Sequence, residues 1–468
     1  MRAAPAIRKL AVTAGLGQQR PAVCVSGRAN DDSGNPAPRL WRRPPTHPAL
    51  TQHPFRPLAA PPLAPSRRRV KITGLGVVTP AGIGREEFFR GINEPRSRIG
   101  TITRFDADAG TFVGAEIHGF DLKNFAPDEN PRRMSRHTQF ALVAGLLAIR
   151  DAGIDPARCA ALNPTVVTGT SIMDIDRIGR GIENVVKKGP RHAPGSIIYE
   201  ASTVNVAGKI AQLFEPTARM LTLQTSCCSG LDAIGQAAEL VATGQTQLAI
   251  AGGAESPFAY YPMLAFNASE LSPSAKDHPE RSCRPFDLWR STGVLGEGAA
   301  MLVLEPEDSP RPAFAWLSGY GYANDPEGQT AAGLYEAALH ALANARRQPR
   351  DIDYVNAWGP GHRLIDNQES FVLKRLFGDR LPDIAVTSLK GAIGTALAAS
   401  GAIQAASVAL TFQHGRLPPT VNWQTPDPNC PLNLSAQPRF LESRVAMVNS
   451  HGLSGSNAVV ILEKSCPP

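Results

Sequence analysis

The chain has 468 residues, a net charge of +7, and hydrophobic and charged fractions of 43% and 19%, which are typical of a globular protein. Its seven cysteines include no CxxC pair, which argues against a disulfide framework or a zinc site and favours a reducing compartment. Residues 1–69 carry a net charge of +10 and residues 70–468 one of −3. The larger part therefore gives no reason to expect a nucleic-acid partner.

The first 69 residues are rich in arginine and contain 12 of the 41 prolines. They show no sustained hydrophobic period, so they cannot bury enough apolar surface to offset the entropy lost on ordering. We predict a disordered extension. Its Arg-rich, acid-poor composition also fits an organellar transit peptide, and a start codon assigned too early is a third interpretation.

From residue 70 onward, predicted strands and helices alternate, which indicates stacked α/β layers. The strands are predicted at 70–80, 165–168, 220–224, 248–255, 299–305, 352–357, 384–387, 445–449 and 458–463, and helices at 86–92, 135–153, 331–344 and 392–412. The polar, Pro-rich segment 305–312 is the best internal boundary and divides the body into residues 70–305 and 313–464.

Residues 391–412 are uncharged and long enough to raise the alternative of a membrane helix. Their Gly, Ala, Ser and Thr content makes them weakly hydrophobic, and Gln404 interrupts the stretch. We therefore predict a buried core helix and no membrane span.

The most informative stretch surrounds Cys227. A predicted strand at 220–224 precedes it, and apolar residues at helical spacing follow it as far as Gly244. Cys227 is thus expected on a strand–helix turn, where the helix dipole and unpaired amides favour the thiolate. A buried, inert thiol is the alternative interpretation.

Several motifs occur in order: VKITGLGVVTPAGIG, ITRFDA, RRMSRHTQFAL, TSCCSGLDAIG, AGGAES, CRPFD with VLGEGAAMLVLE, DIDYVNAWGPG and NSHGLSGSNAVVILE. Together they resemble the β-ketoacyl-acyl carrier protein synthases of the condensing-enzyme class, nearest the chain-elongating type, over residues 70–464. The resemblance implies a thiolase-like fold of two related α/β halves in five layers (αβαβα). It also implies a homodimer with the site between the halves.

The family pattern Thr-Ala-Cys-x-Ser/Thr-Gly matches residues 225–230 and selects Cys227 as the nucleophile. Cys228 is then a core thiol. The resemblance also implies an oxyanion hole formed by the amides of Cys227 and Leu453.

The resemblance breaks at the two histidines that assist decarboxylation of a malonyl thioester in elongating enzymes. Trp358 stands at the first histidine position and Thr395 at the second, without a gap in either motif. Neither side chain titrates near neutral pH. General acid–base help is typically worth about 10²–10⁴-fold, so efficient decarboxylative elongation is not expected.

Other family positions are kept or changed around this site. Lys390, Glu369 and Asp366 match the family lysine and acidic residues. They could hold a hydrogen-bonded network, although a salt bridge is the favoured role for Lys390 and Glu369. Pro360 and His362 replace the two threonines that contact a phosphopantetheine arm, so delivery by a carrier protein is in doubt. Together with Ser454 they are the candidate substrate-binding residues.

The closing loop differs as well, because His451 and Leu453 replace the aromatic gate residues and Ser454-Gly455 replaces a double glycine. His451 is a candidate base for Cys227 or a solvated or hydrogen-bonded bystander. His362 is a weaker candidate base.

Three hypotheses follow, all within fatty-acid or polyketide biosynthesis. The first is an acyltransferase that forms an acyl-Cys227 thioester without efficient elongation. The second is a non-catalytic partner of an active synthase, comparable to a chain-length factor, and the third is ordinary 3-oxoacyl synthesis by a rearranged site using His451 or His362.

The expected partners are acyl carrier protein or acyl-CoA and a second ketosynthase chain, in a homodimer or heterodimer. We expect a cytoplasmic location, with organellar import through residues 1–69 as the alternative, and neither metal nor cofactor.

Overall fold

The computed structural model describes residues 68–105, 112–214, 218–273, 277–327 and 330–465. The disorder predicted for the N-terminal extension therefore falls almost wholly outside the described residues. The strands are β1 (Val70–Thr79), β2 (Gly82–Ile83), β3 (Gly100–Thr101), β4 (Val113–Gly114), β5 (Thr165–Gly169), β6 (Arg219–Leu223), β7 (Ala249–Glu255), β8 (Gly298–Pro306), β9 (Ala315–Asn324), β10 (Tyr354–Asn356), β11 (Ala385–Thr387), β12 (Arg416–Leu417), β13 (Arg439–Phe440), β14 (Val445–His451) and β15 (Ser456–Lys464). The α-helices are α1 (Arg85–Ile92), α2 (Arg136–Asp151), α3 (Ile175–Lys188), α4 (Ile197–Glu200), α5 (Val204–Ala211), α6 (Ser229–Ala242), α7 (Tyr260–Ala268), α8 (Leu334–Ala345), α9 (Arg363–Phe377), α10 (Lys390–Ile393) and α11 (Ser400–His414).

Two halves of the chain repeat one strand arrangement. The sheet path is β11-β10-β14-β15-β9-β1-β8-β7-β5-β6, with β2 attached to β1. When the five strands of each half are counted in chain order, both halves follow the order 3-2-4-5-1. In both, the second strand is parallel to the third and fourth, and the fifth is antiparallel to the fourth and first. The prediction of two related α/β halves is confirmed. The division into two domains at 305–313 stays a prediction.

The layers follow from strands that are apolar on both faces. Along β8, Ala300, Leu302 and Leu304 belong to one core cluster, while the alternate residues Met301 and Val303 belong to another. β15 divides its side chains in the same way. Successive side chains of a strand point to opposite faces, so each half-sheet has a buried core on both sides.

Helices α6 and α11 form the middle layer, because they contact each other and the strands of both halves. Helix α2 covers the outer face of the first half, and α8 that of the second. This is the five-layer αβαβα arrangement that the resemblance implied.

The prediction of one continuous helix over 392–412 is wrong, because the chain is not α-helical between α10 and α11. Gly394 has a φ of +66°, and a Cβ there would lie 2.6 Å from the carbonyl oxygen of Leu295. Thr395 then bridges to Leu295 in a parallel pairing. The break delivers Thr395 to the site described below. Among the described residues, none of the helices is both long and apolar enough to cross a membrane.

Candidate active site

A cavity of about 50 Å³ lies where the turn before α6, the loop after β10, the break before α11 and the β14–β15 turn meet. The candidate residues that line it are Cys227, Trp358, Pro360, His362, Thr395, His451 and Leu453. Lys390, Glu369 and Asp366 are buried and do not line it. Ser454 is exposed at the β14–β15 turn and does not line it either, which argues against the predicted substrate contact.

Cys227 sits on the predicted strand–helix turn, between β6 and α6. Its predecessor Ser226 has a φ of +57°, in the left-handed region that non-glycine residues seldom adopt. The Cys227 side chain is only 4% exposed. Burial raises the pKa of this thiol to about 11, although the Ser226 hydroxyl and the Leu453 amide act in the opposite direction. Burial thus acts against the thiolate that the helix end was expected to favour.

Cys228 lies on the other side of the same turn, at the N-cap of α6. It is fully buried, and its thiol donates to the carbonyl oxygen of Ser456 at 3.3 Å. Burial also raises its pKa well above the usual range. These contacts are those of a core thiol.

The closing turn between β14 and β15 is tied to the cysteine segment. The Ser456 hydroxyl donates to the carbonyl oxygen of Thr225 at 2.7 Å, and the Ser450 hydroxyl donates to that of Cys227 at 3.3 Å. The Leu453 amide acts to lower the pKa of the Cys227 thiol, and both residues line the cavity. The oxyanion hole that the resemblance assigns to the Cys227 and Leu453 amides stays a prediction.

Trp358 and Lys390 contact each other behind the cavity. The Lys390 ammonium lies 4.7 Å from the centre of the Trp358 ring and donates to Gln404 Oε1 at 2.9 Å. Burial lowers the pKa of Lys390 to about 7, despite the favourable charge of Glu369. An aromatic ring face stabilises a desolvated cation, so Trp358 can stabilise the Lys390 ammonium without itself gaining or losing a proton.

Glu369 binds backbone rather than Lys390, so the predicted salt bridge is wrong. Its carboxylate accepts from the amides of Trp358 at 2.9 Å and Gly359 at 2.8 Å, and from Asn449 Nδ2 at 2.9 Å. These bonds fix the loop that follows β10. Lys390 and Glu369 form no ion pair with each other in the described part of the chain.

Asp366 has a comparable structural role next to the same loop. It accepts from the amides of Phe286 at 2.8 Å and Gly361 at 3.1 Å and lies 3.5 Å from Arg290. Burial raises its pKa to about 7. The carboxyl group holds two segments of the cavity wall together.

Thr395 and His362 bring unsatisfied polar atoms to the site. Thr395 Oγ1 and His362 Nδ1 are both buried without a hydrogen-bond partner in the described part of the chain. Burial also lowers the pKa of His362. Buried polar atoms rarely lack partners, so these two atoms, on residues that line the cavity, are exceptions to the usual pattern.

His451 is held by two residues that the sequence did not single out. It ends β14 and lies directly opposite Asn457 of β15. Its Nδ1 lies 3.0 Å from Asn457 Oδ1 and 3.8 Å from Asp325 Oδ2. The bystander interpretation in its solvated form is wrong, since His451 is 3% exposed and lines the cavity.

Glu255, at the end of β7, was also missed although it lies in the quoted AGGAES motif. It accepts from the amides of Ser171 at 2.7 Å and Ile172 at 3.2 Å. Burial raises its pKa to about 7, and its charge acts to raise the pKa of Cys227. The signal available in the sequence was an acidic residue at the end of a strand of small, apolar residues.

The depressed pKa of Lys390 predicts a pH-dependent stability. The folded chain releases the Lys390 proton near pH 7, whereas the unfolded chain keeps it to the ordinary value of 10.5. Stability therefore rises with pH between these values, and the contribution is lost as pH falls through the folded pKa. We expect the free energy of unfolding of wild type, minus that of Lys390→Met, to rise by about 1 kcal/mol per pH unit in this window.

Urea unfolding at several pH values measures this slope. The exposed Lys374 of α9 supplies the matched control, because Lys374→Met should leave the slope at the wild-type value. Equal slopes for wild type and Lys390→Met would contradict the prediction.

Solved structures with this fold define the class. The ishigamide ketosynthase/chain length factor superposes with a TM-score of 0.79 at 28% identity, covering 86% of this chain and all of that chain. A type II PKS acyl-carrier protein in complex with its ketosynthase bound to the hexaketide gives a TM-score of 0.78 at 26% identity, covering 85% and 100%. The chain is thus a thiolase-like α/β protein of the condensing-enzyme class.

Comparison of sequences makes the family explicit. Residues 67–309 match the β-ketoacyl synthase N-terminal domain, and residues 314–424 match the C-terminal domain. A putative polyketide β-ketoacyl synthase 1 of Streptomyces halstedii is 34% identical over 424 residues, covering 84% of this chain and 98% of the relative. The 3-oxoacyl-[acyl-carrier-protein] synthase 2 of Staphylococcus aureus (strain COL) is 30% identical over 411 residues, covering 85% and 98%. The chain belongs to the β-ketoacyl synthase family of polyketide and fatty-acid biosynthesis.

Proposed function

We propose that this protein is an acyltransferase that forms an acyl-Cys227 thioester without efficient decarboxylative elongation. One observation carries the proposal. Cys227 shares its cavity with the Leu453 amide, while Trp358 and Thr395 line that cavity at the positions assigned to the family histidines. The nucleophile and the proposed oxyanion donor of acyl capture are both present at this cavity. The two imidazoles that assist enolate formation in the family are replaced.

The expected rate effects favour acyl capture by Cys227 over decarboxylation of a malonyl thioester. A preorganised oxyanion donor is worth about 10²–10³-fold, and the turn that carries the proposed Leu453 donor lines the same cavity as Cys227. The indole of Trp358 contacts the Lys390 ammonium, so it is engaged away from any proton-transfer role. Loss of acid–base help costs about 10²–10⁴-fold in the decarboxylation step.

Two other functions stay open. A chain-length-factor-like partner role is favoured by the similarity to the ishigamide ketosynthase/chain length factor, but an available thiol in a cavity argues against it. Elongation through His451 is favoured by the presence of that imidazole in the cavity. We rank acyl transfer first because it needs only groups that already face Cys227.

The acyl donor is proposed to be acyl carrier protein or acyl-CoA, and the assembly a homodimer or a heterodimer with another ketosynthase. The solved complex of a ketosynthase with its acyl-carrier protein supports the first of these. Leu453, which is 53% exposed, provides the side of the cavity nearest to solvent.

Intact-protein mass spectrometry tests the proposal with the acetyl thioester of N-acetylcysteamine, an acyl group short enough for a cavity of about 50 Å³. Wild type is expected to gain one acetyl group, Cys227→Ala none, and Cys228→Ala one as in wild type. A wild type without an adduct would remove the proposal, provided that residue 227 is a free thiol. A heterodimer with a co-expressed synthase whose activity ignores Cys227→Ala would instead favour the partner role.

A further inference from the structure

Three neighbouring strands bring three polar residues together beside the cavity. β14 ends at His451, β15 places Asn457 directly opposite it, and Asp325 follows the end of β9. Asn457 Nδ2 donates to Asp325 Oδ1 at 2.7 Å and to the carbonyl oxygen of Gly455 at 3.1 Å. Asp325 itself is fixed by the amides of Ala331 at 2.7 Å and Gly333 at 2.9 Å.

These bonds determine which ring nitrogen of His451 carries the proton. The Asn457 amide nitrogen must face its acceptors, so Oδ1 is the atom that faces His451 Nδ1 at 3.0 Å. Oδ1 can only accept, and Nδ1 therefore donates. In a neutral imidazole the remaining nitrogen, Nε2, is then an unprotonated base.

That nitrogen is available to the cavity. Among the described residues His451 Nε2 has no hydrogen-bond partner, and it is not one of the fully enclosed polar atoms. The ring lines the same small cavity as Cys227, whose thiol is protonated at neutral pH. A cysteine, an imidazole with a fixed tautomer and an asparagine that orients it have the roles found in Cys–His–Asn acyl-transfer sites.

The type of base present limits the type of acceptor. A malonyl nucleophile forms by loss of carbon dioxide, a step assisted in the family by two histidines whose positions Trp358 and Thr395 occupy here. A hydroxyl or amine nucleophile instead must lose a proton as it attacks, and His451 Nε2 can take it.

The lining favours a hydroxyl over an amine. No carboxylate is among the described residues that line the cavity, so nothing there offsets the cost of desolvating an ammonium group. Apolar side chains such as Leu295, Ile365 and Leu397 form much of the wall and disfavour bulk water. Thr395 and His362 line this cavity too, and each carries an enclosed polar atom without a partner among the described residues.

We propose that His451, oriented by Asn457 and Asp325, activates a hydroxyl group of an otherwise apolar acceptor, so that the product is an ester. This inference rests on the proposed acyl-Cys227 intermediate. First, the Cys227 proton passes to Nε2 as sulfur attacks the donor carbonyl, and the donor thiol leaves with that proton.

In the second step the acceptor O–H gives its proton to Nε2 while oxygen bonds to the acyl carbon. The C–S bond then breaks, and the Cys227 sulfur takes the proton back. The net reaction is thioester plus alcohol giving ester plus thiol, and no oxidant or reductant is required.

The test uses full-length protein acetylated on Cys227 and freed of donor, with 1-butanol and butylamine as probe acceptors. Wild type is expected to convert the adduct to butyl acetate with butanol, faster than the adduct is lost in buffer. His451→Phe, which restores an aromatic gate residue, should slow ester formation by about 10²-fold or more. The exposed His340 of α8 is the matched control, and His340→Asn should retain the wild-type rate.

The variant Asn457→Ala tests whether Asn457 orients the His451 ring or only supports the fold. Loss of its carbonyl oxygen frees the tautomer of His451, so ester formation should fall about tenfold or more with a displaced pH profile, while Asn457→Gln, which keeps both the acceptor and the donor, should recover part of the rate. Equal ester formation by wild type and His451→Phe, or preferential reaction with butylamine, overturns this inference and leaves the acyl-enzyme intact. Release of acetate at a rate that ignores butanol also overturns it. A wild type that never takes the acetyl group overturns both proposals.

Discussion

Replacing Trp358 and Thr395 together by histidine is expected to raise carbon dioxide release from a malonyl thioester by about 10²–10⁴-fold. Both side chains line the Cys227 cavity, so both imidazoles would enter the space where an enolate forms. The buried Lys390 beside residue 358 would then face an imidazole instead of an indole ring. Trapping of radiolabelled carbon dioxide measures the rate.

The control for this gain is the pair Trp358→Phe and Thr395→Ala, which also reduces side-chain volume but adds no titrating group. We expect this pair to release no more carbon dioxide than wild type. Each single histidine should recover only part of the gain, since the two groups act on one intermediate. A double-histidine variant that folds, acylates and still matches wild type would contradict our assignment of these two positions.

Gly452→Ala is expected to slow acylation of Cys227 by about 10²–10³-fold, the usual cost of losing an oxyanion donor. A Cβ at residue 452 would lie 2.9 Å from the Cβ of Ser226 and would overlap the Ser456 hydroxyl. The closing turn must move away from the cysteine segment to relieve this overlap. The Leu453 amide would move with it.

Acylation is followed in single-turnover mixtures by intact-protein mass spectrometry. Gly100 of β3 gives the matched glycine-to-alanine control, because a Cβ there meets nothing within 4 Å. Gly100→Ala should acylate at the wild-type rate. If Gly452→Ala did the same, the Leu453 amide would have no part in acyl capture.

Much of the fold was predictable because the strands are apolar and short helices with clear spacing separate them. The strand and helix on either side of Cys227 were predicted close to their observed bounds, Arg219–Leu223 and Ser229–Ala242. Strand β9 was missed because Gly319 and Gly321 weaken its β signal. The structure requires both glycines, since a Cβ at either would overlap the backbone of α8.

Helix α9 was also missed, although Ile365, Val372 and Leu376 have helical spacing and supplied a usable signal. The break before α11 had a weaker signal, a single Gly394 within a continuous small-residue stretch. Its conformation is imposed by a pairing with Leu295, a residue about one hundred positions earlier in the chain. Local sequence carries no trace of such a partner.

In the site, as in the fold, local sequence predicted some features, whereas others depend on contacts between residues far apart in the chain. Motif register placed Cys227, Trp358, Thr395, His451 and Leu453 around one cavity, as the structure has them. The extent to which burial raises the pKa of Cys227 could not be predicted from the motif, because that burial depends on the closing turn. The contact of Lys390 with Trp358, and that of His451 with Asn457 and Asp325, join separate strands and helices and could be found only in three dimensions.

The most direct test supplies purified wild-type protein with both an acyl thioester and a malonyl thioester. The acyl adduct on Cys227 and the 3-oxoacyl product are quantified over time in the same samples. We predict that the adduct accumulates while the 3-oxoacyl product stays at the level of the Cys227→Ala control. Steady formation of the 3-oxoacyl product, at a rate comparable with a histidine-containing synthase, would contradict the account.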